Sequence, residues 1–337
     1  MKKFIVPILS TIVLSAVLIA LFLNYDLTPI LASREGAGID TLLQALFIVA
    51  SVVFSLVMSF VVYSVVAFRR RPDDMEDAEP VHGHLGLEIA WTVIPLIAVV
   101  VLAIWGTVVL LDITGQPGQE ELLIEVIGVQ WAWSFDYPEY GFTSTDLVLP
   151  IDRQALLHIR SVDVIHSFWV PEFRVKIDAI PGVVNEVRIT PSEMGEYVAY
   201  CSELCGTAHA YMTAPVHVLQ QAEFEEWVAE QQALAAEQPE GTASGAQYAQ
   251  EQGCLGCHST DGSMLVGPTF QGLYGSWRMF EDGTAAVADD EYLIQSIIDP
   301  GAQIVQGYSN VMRQDYADLL GEDELQALVE FIRELGE

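Results

Sequence analysis

Three stretches without a charged residue, Phe4 to Tyr25, Thr41 to Phe68 and Ile89 to Leu111, constrain this chain more than any other feature. As helices, each is long enough to cross the ~30 Å hydrocarbon core of a bilayer. Inside that core every backbone polar group must be satisfied within the span, which leaves helices as the solution for isolated segments. No comparable run follows Leu111. The 337 residues are 52% hydrophobic yet carry a formal net charge of −32, so apolar and acidic residues must be segregated along the chain.

Lys2 and Lys3 precede the first run, and Arg69, Arg70 and Arg71 follow the second. The positive-inside rule places both clusters in the cytoplasm, and the third run then exports everything C-terminal to it. Residues 1–32 read as a signal peptide or an N-terminal transmembrane helix. The basic start suits the first; an apolar run beyond ~7–15 residues without a clear A-x-A site suits the second. Residues 40–112 read as a two-helix transmembrane hairpin. From Asp112 onward 37 acidic residues stand against 8 basic ones, a net of −29. Such a surface either attracts a basic protein donor or reflects salt adaptation and solubility. With three lysines in the whole chain, the second reading is slightly favoured.

Within 120–220, short alternating apolar segments such as "LLIEVIGVQWAWSF", "ALLHIRSV" and "EYVAYC" are separated by Pro, Gly and Asp turns, as in an antiparallel β-sandwich or barrel. Residues 221–243 read as a linker, with a helical opening "AEFEEWVAEQQALAAE" and then "QPEGTASG". Beyond it, 244–337 show helical periodicity in "EYLIQSIIDP" and "DELQALVEFIREL", a separate α domain.

Between two expected strands lies Cys201-x3-Cys205-x3-His209-x2-Met212. Thiolate, imidazole and thioether together select copper, whereas zinc sites use Cys, His and carboxylates. A mononuclear blue-copper centre takes one cysteine; two suit a pair of coppers sharing both thiolates. His166, in "DVIHSFWVPEF", supplies a second histidine. A structural disulfide between Cys201 and Cys205 is the competing reading in an oxidising compartment, but it leaves His209 and Met212 unexplained.

"HSFWVPEFRVKIDAIPGVVN" followed by "YCSELCGTAHAYM" closely resembles the binuclear copper-A domain of subunit II of haem–copper cytochrome c oxidases, and "LEIAWTVIP" extends the resemblance into the membrane part. It covers roughly residues 40 to 219 and implies a cupredoxin-like fold. By motif position it implies His166, Cys201, Cys205, His209 and Met212 as side-chain ligands of copper and Glu203 as a backbone-carbonyl ligand. It further implies that the Glu203 carboxylate reaches magnesium at the border with subunit I. Trp131 resembles the tryptophan through which electrons enter the copper centre; it also reads as a core aromatic, and spacing leaves the residue two positions on as an alternative. Glu88, in Glu88-Ile-Ala-Trp91-Thr92, matches the glutamate at the mouth of a proton channel, although a carboxylate at a membrane boundary is often only interfacial. His82 and His84 read as loop residues, and His158 and His217 as structural.

Cys254-Leu-Gly-Cys257-His258 has the spacing that attaches haem c through two thioethers, with His258 as proximal iron ligand. With "GPTFQGLYG" after it, the segment resembles class I c-type cytochromes, in which the proline, here Pro268, packs beside the proximal histidine. Met312 occupies the place of the family's distal methionine, although Arg313 follows it where proline is common. Met264 and Met279 lie less suitably, and core packing is the alternative role for Met312.

The membrane runs contain no histidine, so no site for O2 reduction is expected in this chain. The resemblance implies subunit II of a caa3-type cytochrome c oxidase in a prokaryotic membrane. Electrons would pass from a c-type cytochrome or an upstream quinol-oxidising complex through haem c and copper A to subunit I, with subunit III beside it. A copper-A subunit of a nitric-oxide reductase and a copper or thiol-redox protein are the alternatives. A quinol oxidase subunit would lack the copper ligands.

Overall fold

The computed structural model describes residues 2–25, 27–70, 80, 82–114, 121–236 and 245–336. The side chains of Lys2 and Lys3, Arg71 and most of the "QPEGTASG" join lie outside the described residues. The chain divides into two compact units, 1–31 with 35–116, and 32–34 with 117–337.

The first unit holds α1 (Lys2–Asn24), α2 (Gly36–Ala67) and α3 (Leu85–Ile113), all three long and apolar enough to cross a membrane. Besides Gly36 at its start, the buried residues of α2 are Ser51, Ser55 and Ser59, which recur every fourth residue. Small side chains at that spacing let two helices approach closely, and α1 packs along α2, with Phe22 stacked on Phe47 at 4.7 Å. No α3 residue is buried. Its N-terminus is closed by His84, whose Nδ1 accepts from Leu87 N, while Glu88 Oε1 accepts from His84 N at 3.1 Å. His84 is therefore a helix cap.

The second unit opens with ten strands: β1 (Leu122–Val129), β2 (Ala132–Tyr137), β3 (Phe142–Ser144), β4 (Leu147–Pro150), β5 (Ala155–Ser161), β6 (His166–Val170), β7 (Val175–Ala179), β8 (Asn185–Ile189), β9 (Gly195–Cys201) and β10 (Thr213–Leu219). They form two five-stranded sheets, β3-β2-β1-β5-β8 and β4-β10-β9-β6-β7. Alternate residues of β5 and β10 are buried, the period-2 signature of strands with one face inward. The faces enclose Phe135, Leu157, Phe168, Val216 and Trp133 in one core. "LLIEVIGVQWAWSF" is not one strand: β1 and β2 form a hairpin with Val129 opposite Ala132 and Gln130–Trp131 at the turn. That turn lacks the Asn-Gly or Asp-Gly chemistry by which hairpins are recognised.

The linker expected over 221–243 begins with its helical opening, α4 (Gln221–Ala236); the correction is that this helix is docked on the sandwich. Phe224, Trp227 and Val228 fall on one face; Trp227 lies 5.2 Å from both Tyr137 and Phe142, and Phe224 6.0 Å from Tyr140, ring to ring. Phe224 is fully buried, which contributes roughly 1.5–3 kcal/mol. Short helical turns in a mostly polar sequence hold by such packing rather than by propensity.

The C-terminal domain comprises α5 (Gly245–Glu251), β11 (Trp277–Met279), β12 (Ala285–Val287), α6 (Asp290–Ile298), α7 (Tyr316–Leu319) and α8 (Glu322–Glu334). The β11–β12 hairpin is an addition that helical periodicity does not reveal. Phe270, Leu273, Phe280, Tyr292, Leu293, Val329 and Ile332 form its core. Arg333 of α8 grips both oxygens of Asp290 on α6, at 2.7 and 2.8 Å.

Candidate metal centre and haem cavity

Cys201 ends β9, and the loop after it returns through a 3-10 turn at His209–Tyr211 into β10. This fold brings Cys201 Sγ to 3.7 Å from Cys205 Sγ, and Cys205 Sγ to 3.6 Å from His209 Nδ1 and 3.8 Å from Met212 Sδ. His166, at the head of β6, places Nδ1 3.8 Å from Cys201 Sγ. The Glu203 carbonyl lies 3.3 Å from that sulfur, while the residue itself is exposed. All six sequence-derived positions thus converge. Both cysteines are free, and 3.7 Å is far beyond a disulfide bond of about 2.05 Å.

The donor set fits a soft metal. Each of these donor pairs is closer than two metal–sulfur bonds of about 2.3 Å, so neighbouring donors can share an ion without backbone movement. Cys201 is held as a thiolate far below the usual thiol range, first by the Cys205 thiol and then by His166 and backbone amides, against the opposing effect of burial. Cys205 is pushed up by that negative neighbour and by burial. Asp163 Oδ1 takes His166 Nε2 at 2.9 Å, which leaves Nδ1 facing the sulfurs as the donor atom. Burial alone would lower the His166 pKa, but Asp163 and Cys201 raise it. Asp163 is itself held low: hydrogen bonds from His166 and from the Gln130 and Val164 amides outweigh burial.

Trp131 stands directly over this loop. Its indole Nε1 donates to Cys205 O at 3.2 Å, and Gln130 Nε2 donates to the same oxygen at 2.6 Å. Gly206, at φ +123°, supplies the backbone conformation beneath the indole, where a Cβ would come within 3.0 Å of Trp131 Cζ2. Trp133, the alternative two positions on, instead packs edge-on to Phe168 and His166 inside the sandwich.

The second site is a cavity of about 1240 Å³, counted to its mouth, that Cys254, Cys257, His258 and Met312 all line. His258 Nδ1 donates to Pro268 O at 2.6 Å, and the ring stacks on Phe270 at 4.6 Å. Burial keeps this imidazole neutral, and the Pro268 bond leaves Nε2 as the free lone pair. Arg278 also lines the cavity, and its buried Nε has no hydrogen-bond partner among the described residues. A large, mostly apolar void with one free imidazole nitrogen, two thiols, a thioether and one guanidinium N–H left for an acceptor fits a planar, anionic-edged macrocycle such as haem.

Gln130 and Trp131 line the same cavity from the sandwich side. Gly256, inside the Cys254–His258 segment, sits so close to the Trp131 carbonyl that any Cβ there would collide with it. The hairpin turn over the cysteines is therefore also a wall of the cavity. Glu88 belongs to the first unit, at the N-terminus of α3. His158 and His217 pair with carboxylates, Glu125 at 3.0 Å and Asp146 at 3.5 Å, away from either site. Asp163, Gln130 and Arg278 were not singled out in the sequence. The spacing Asp163-x2-His166 was the available signal for the first.

A cytochrome c oxidase subunit 2 of Alkalihalophilus pseudofirmus is 35% identical over 305 residues, covering 88% of this chain and 86% of the relative. The chain belongs to the cytochrome c oxidase subunit 2 family. The family models agree: cytochrome c oxidase subunit II, transmembrane domain, matches 28–108; its periplasmic domain matches 142–219; and cytochrome c matches 242–336. The subunit 2 of Synechocystis sp. is 30% identical over 271 residues, 67% of this chain and 82% of the relative. Among solved structures, the periplasmic domain of subunit II from Bradyrhizobium japonicum shares 32% identity over 35% of this chain and 99% of that one, with a TM-score of 0.34. This cytochrome c oxidase subunit II is thus a membrane protein and part of an enzyme complex, with a copper-A domain for copper and a fused cytochrome c domain for haem c.

Proposed function

We propose that this chain is the electron-transfer subunit of a caa3-type oxidase, with the β-sandwich and cytochrome domain on the extracytoplasmic side. When bound, haem c and a binuclear copper A supply one-electron chemistry, relaying electrons from a donor to subunit I, where O2 is reduced to water with proton pumping. Cys254 and Cys257 would hold the haem through thioethers, with His258 and Met312 as its iron donors. His166, Cys201, Cys205, His209 and Met212 would hold copper, with the Glu203 carbonyl; the Glu203 carboxylate, in an exposed residue, would serve magnesium at the partner subunit.

The observation that carries this reading is the Gln130–Trp131 turn. One face bonds to the Cys205 carbonyl and the other abuts Gly256 of the haem motif. This contact supports the turn as what orients both sites and Trp131 as the electron inlet to copper. Apolar neighbours Phe168 and Trp133 keep the donor loop rigid, which keeps structural change on reduction small. The unburied flanks of α3 suit contact with subunits I and III, and Glu88 at its capped end is the candidate proton inlet.

The test is purification from membranes with metal and haem analysis and O2 uptake. Two coppers and one haem c on this chain, with cyanide-sensitive O2 consumption, are expected. Cys205→Ser should abolish the mixed-valence copper signal and leave haem c intact; an unchanged copper spectrum would overturn the site.

A further inference from the structure

Arg313 stands where the cytochrome pattern commonly has proline, next to Met312 on the cavity wall. Its guanidinium grips Asp315 of its own domain through Nε at 2.6 Å and Nη2 at 3.0 Å, and packs over the Tyr316 ring at 5.9 Å. Its remaining nitrogen, Nη1, faces Asp163 Oδ2 of the β-sandwich at 3.9 Å. Both side chains are shielded, 19% and 8% exposed. Asp163 already accepts from His166 Nε2, Val164 N and Gln130 N, at 2.9, 2.6 and 2.8 Å, so one carboxylate meets a copper donor, the hairpin turn and the cytochrome domain.

Charge makes this contact matter. Residues 120–220 carry 14 acidic against 5 basic groups, net −9, and residues 245–337 carry 16 against 3, net −13. At long range the two bodies repel, so what holds them must be local and complementary. Of the three arginines in 245–337, Arg333 is committed to Asp290 and Glu330 within its own domain, and Arg278 lines the cavity. Arg313 is the one that meets a sandwich carboxylate among the described residues. A shielded pair is screened less by salt than an exposed one, and a buried carboxylate stripped of its counter-charge is costly.

We propose that Arg313 is the positioning residue that pins the fused cytochrome domain on the Gln130–Trp131 turn, by giving Asp163 its counter-charge. The inference rests on the functional reading above, because the pin serves transfer of one electron from haem to copper with no proton moved. It accounts for Arg313 in place of proline: a ring there has neither the reach nor the charge. Gly256 is the steric half of the same device, since the pin can close only where no side chain separates the motif from the Trp131 carbonyl.

The test uses the whole complex with Arg313→Ala, Arg313→Lys and Gly256→Ala. Haem-to-copper transfer is followed optically after flash reduction, and amide exchange is followed in segments 128–133 and 252–258. Arg313→Ala should slow transfer at least threefold and speed exchange of both segments at least tenfold. Arg313→Lys should recover at least half of the rate, and Gly256→Ala should reproduce the slowing without altering any charge. With the haem spectrum and copper signal intact, either readout left unchanged in Arg313→Ala overturns the pin. So does a lost methionine-ligation band with exchange unchanged, because the residue would then act on Met312 alone. A wild-type complex without haem or copper on this chain overturns the pin together with the reading beneath it.

Discussion

Asp163 shows how a residue that is not itself among the proposed metal donors can govern them. It fixes which nitrogen of His166 faces the sulfurs, and it ties that choice to the Gln130 amide. Asp163→Asn retains the shape but weakens the acceptor, so copper affinity should fall about 10- to 100-fold, read by copper titration with a competing chelator. The haem spectrum should not change. At this scale much of the site was legible: soft donors at three- and four-residue spacing announce themselves, and so does Cys-x2-Cys-His. Arg278 was not, Asp163 offered only its spacing to His166, and Arg313 stood out only as a departure from proline, because their significance lies in what they face. A carboxylate in a loop or an arginine beside a methionine has no distinctive pattern along the chain; only the fold supplies the partner.

The elements divide along similar lines. The three apolar helices follow from charge-free runs long enough to cross a bilayer, and the alternating strands from the period-2 pattern that burial on one face imposes. The Gln130–Trp131 turn escaped because two large residues occupy it, and it is stabilised by Asp163 and Cys205, contacts distant in sequence. The helical opening of the expected linker was legible, but its docking was not, because α4 is held by three aromatic and aliphatic residues within a polar helix. Between α6 and α8, Arg333 first, with Tyr274, holds the Asp290 carboxyl below its ordinary value of 3.8. A depressed carboxylate stabilises above its unfolded pKa and loses that contribution as pH falls through the folded value. Acidification from about pH 5 to about pH 3 should therefore loosen α8 in amide exchange, and Asp290→Asn should flatten that dependence while leaving the chain less stable at neutral pH.

For the whole molecule, a net charge of −32 means that self-repulsion opposes compactness. Raising monovalent salt from about 0.05 to about 0.5 M shortens the screening length to a few ångströms, so the thermal midpoint of the acidic part after Leu111 should rise, as calorimetry of the complex would register. A flat response would mean that the acidic groups are already neutralised locally. Composition made this balance legible; the close seating of two acidic domains on each other it did not, since net charge argues against it. The docking of α4 bears on that seating. Between Ala236 and Gly245 the chain takes nine steps, which cannot span more than about 30 Å whatever their path. A body so tethered experiences its target at an effective concentration of millimolar or above. A contact too feeble to join two separate proteins is then occupied most of the time, which is why a 3.9 Å ion pair beside the seat of Gly256 on the Trp131 carbonyl can suffice where a free partner would need a full interface.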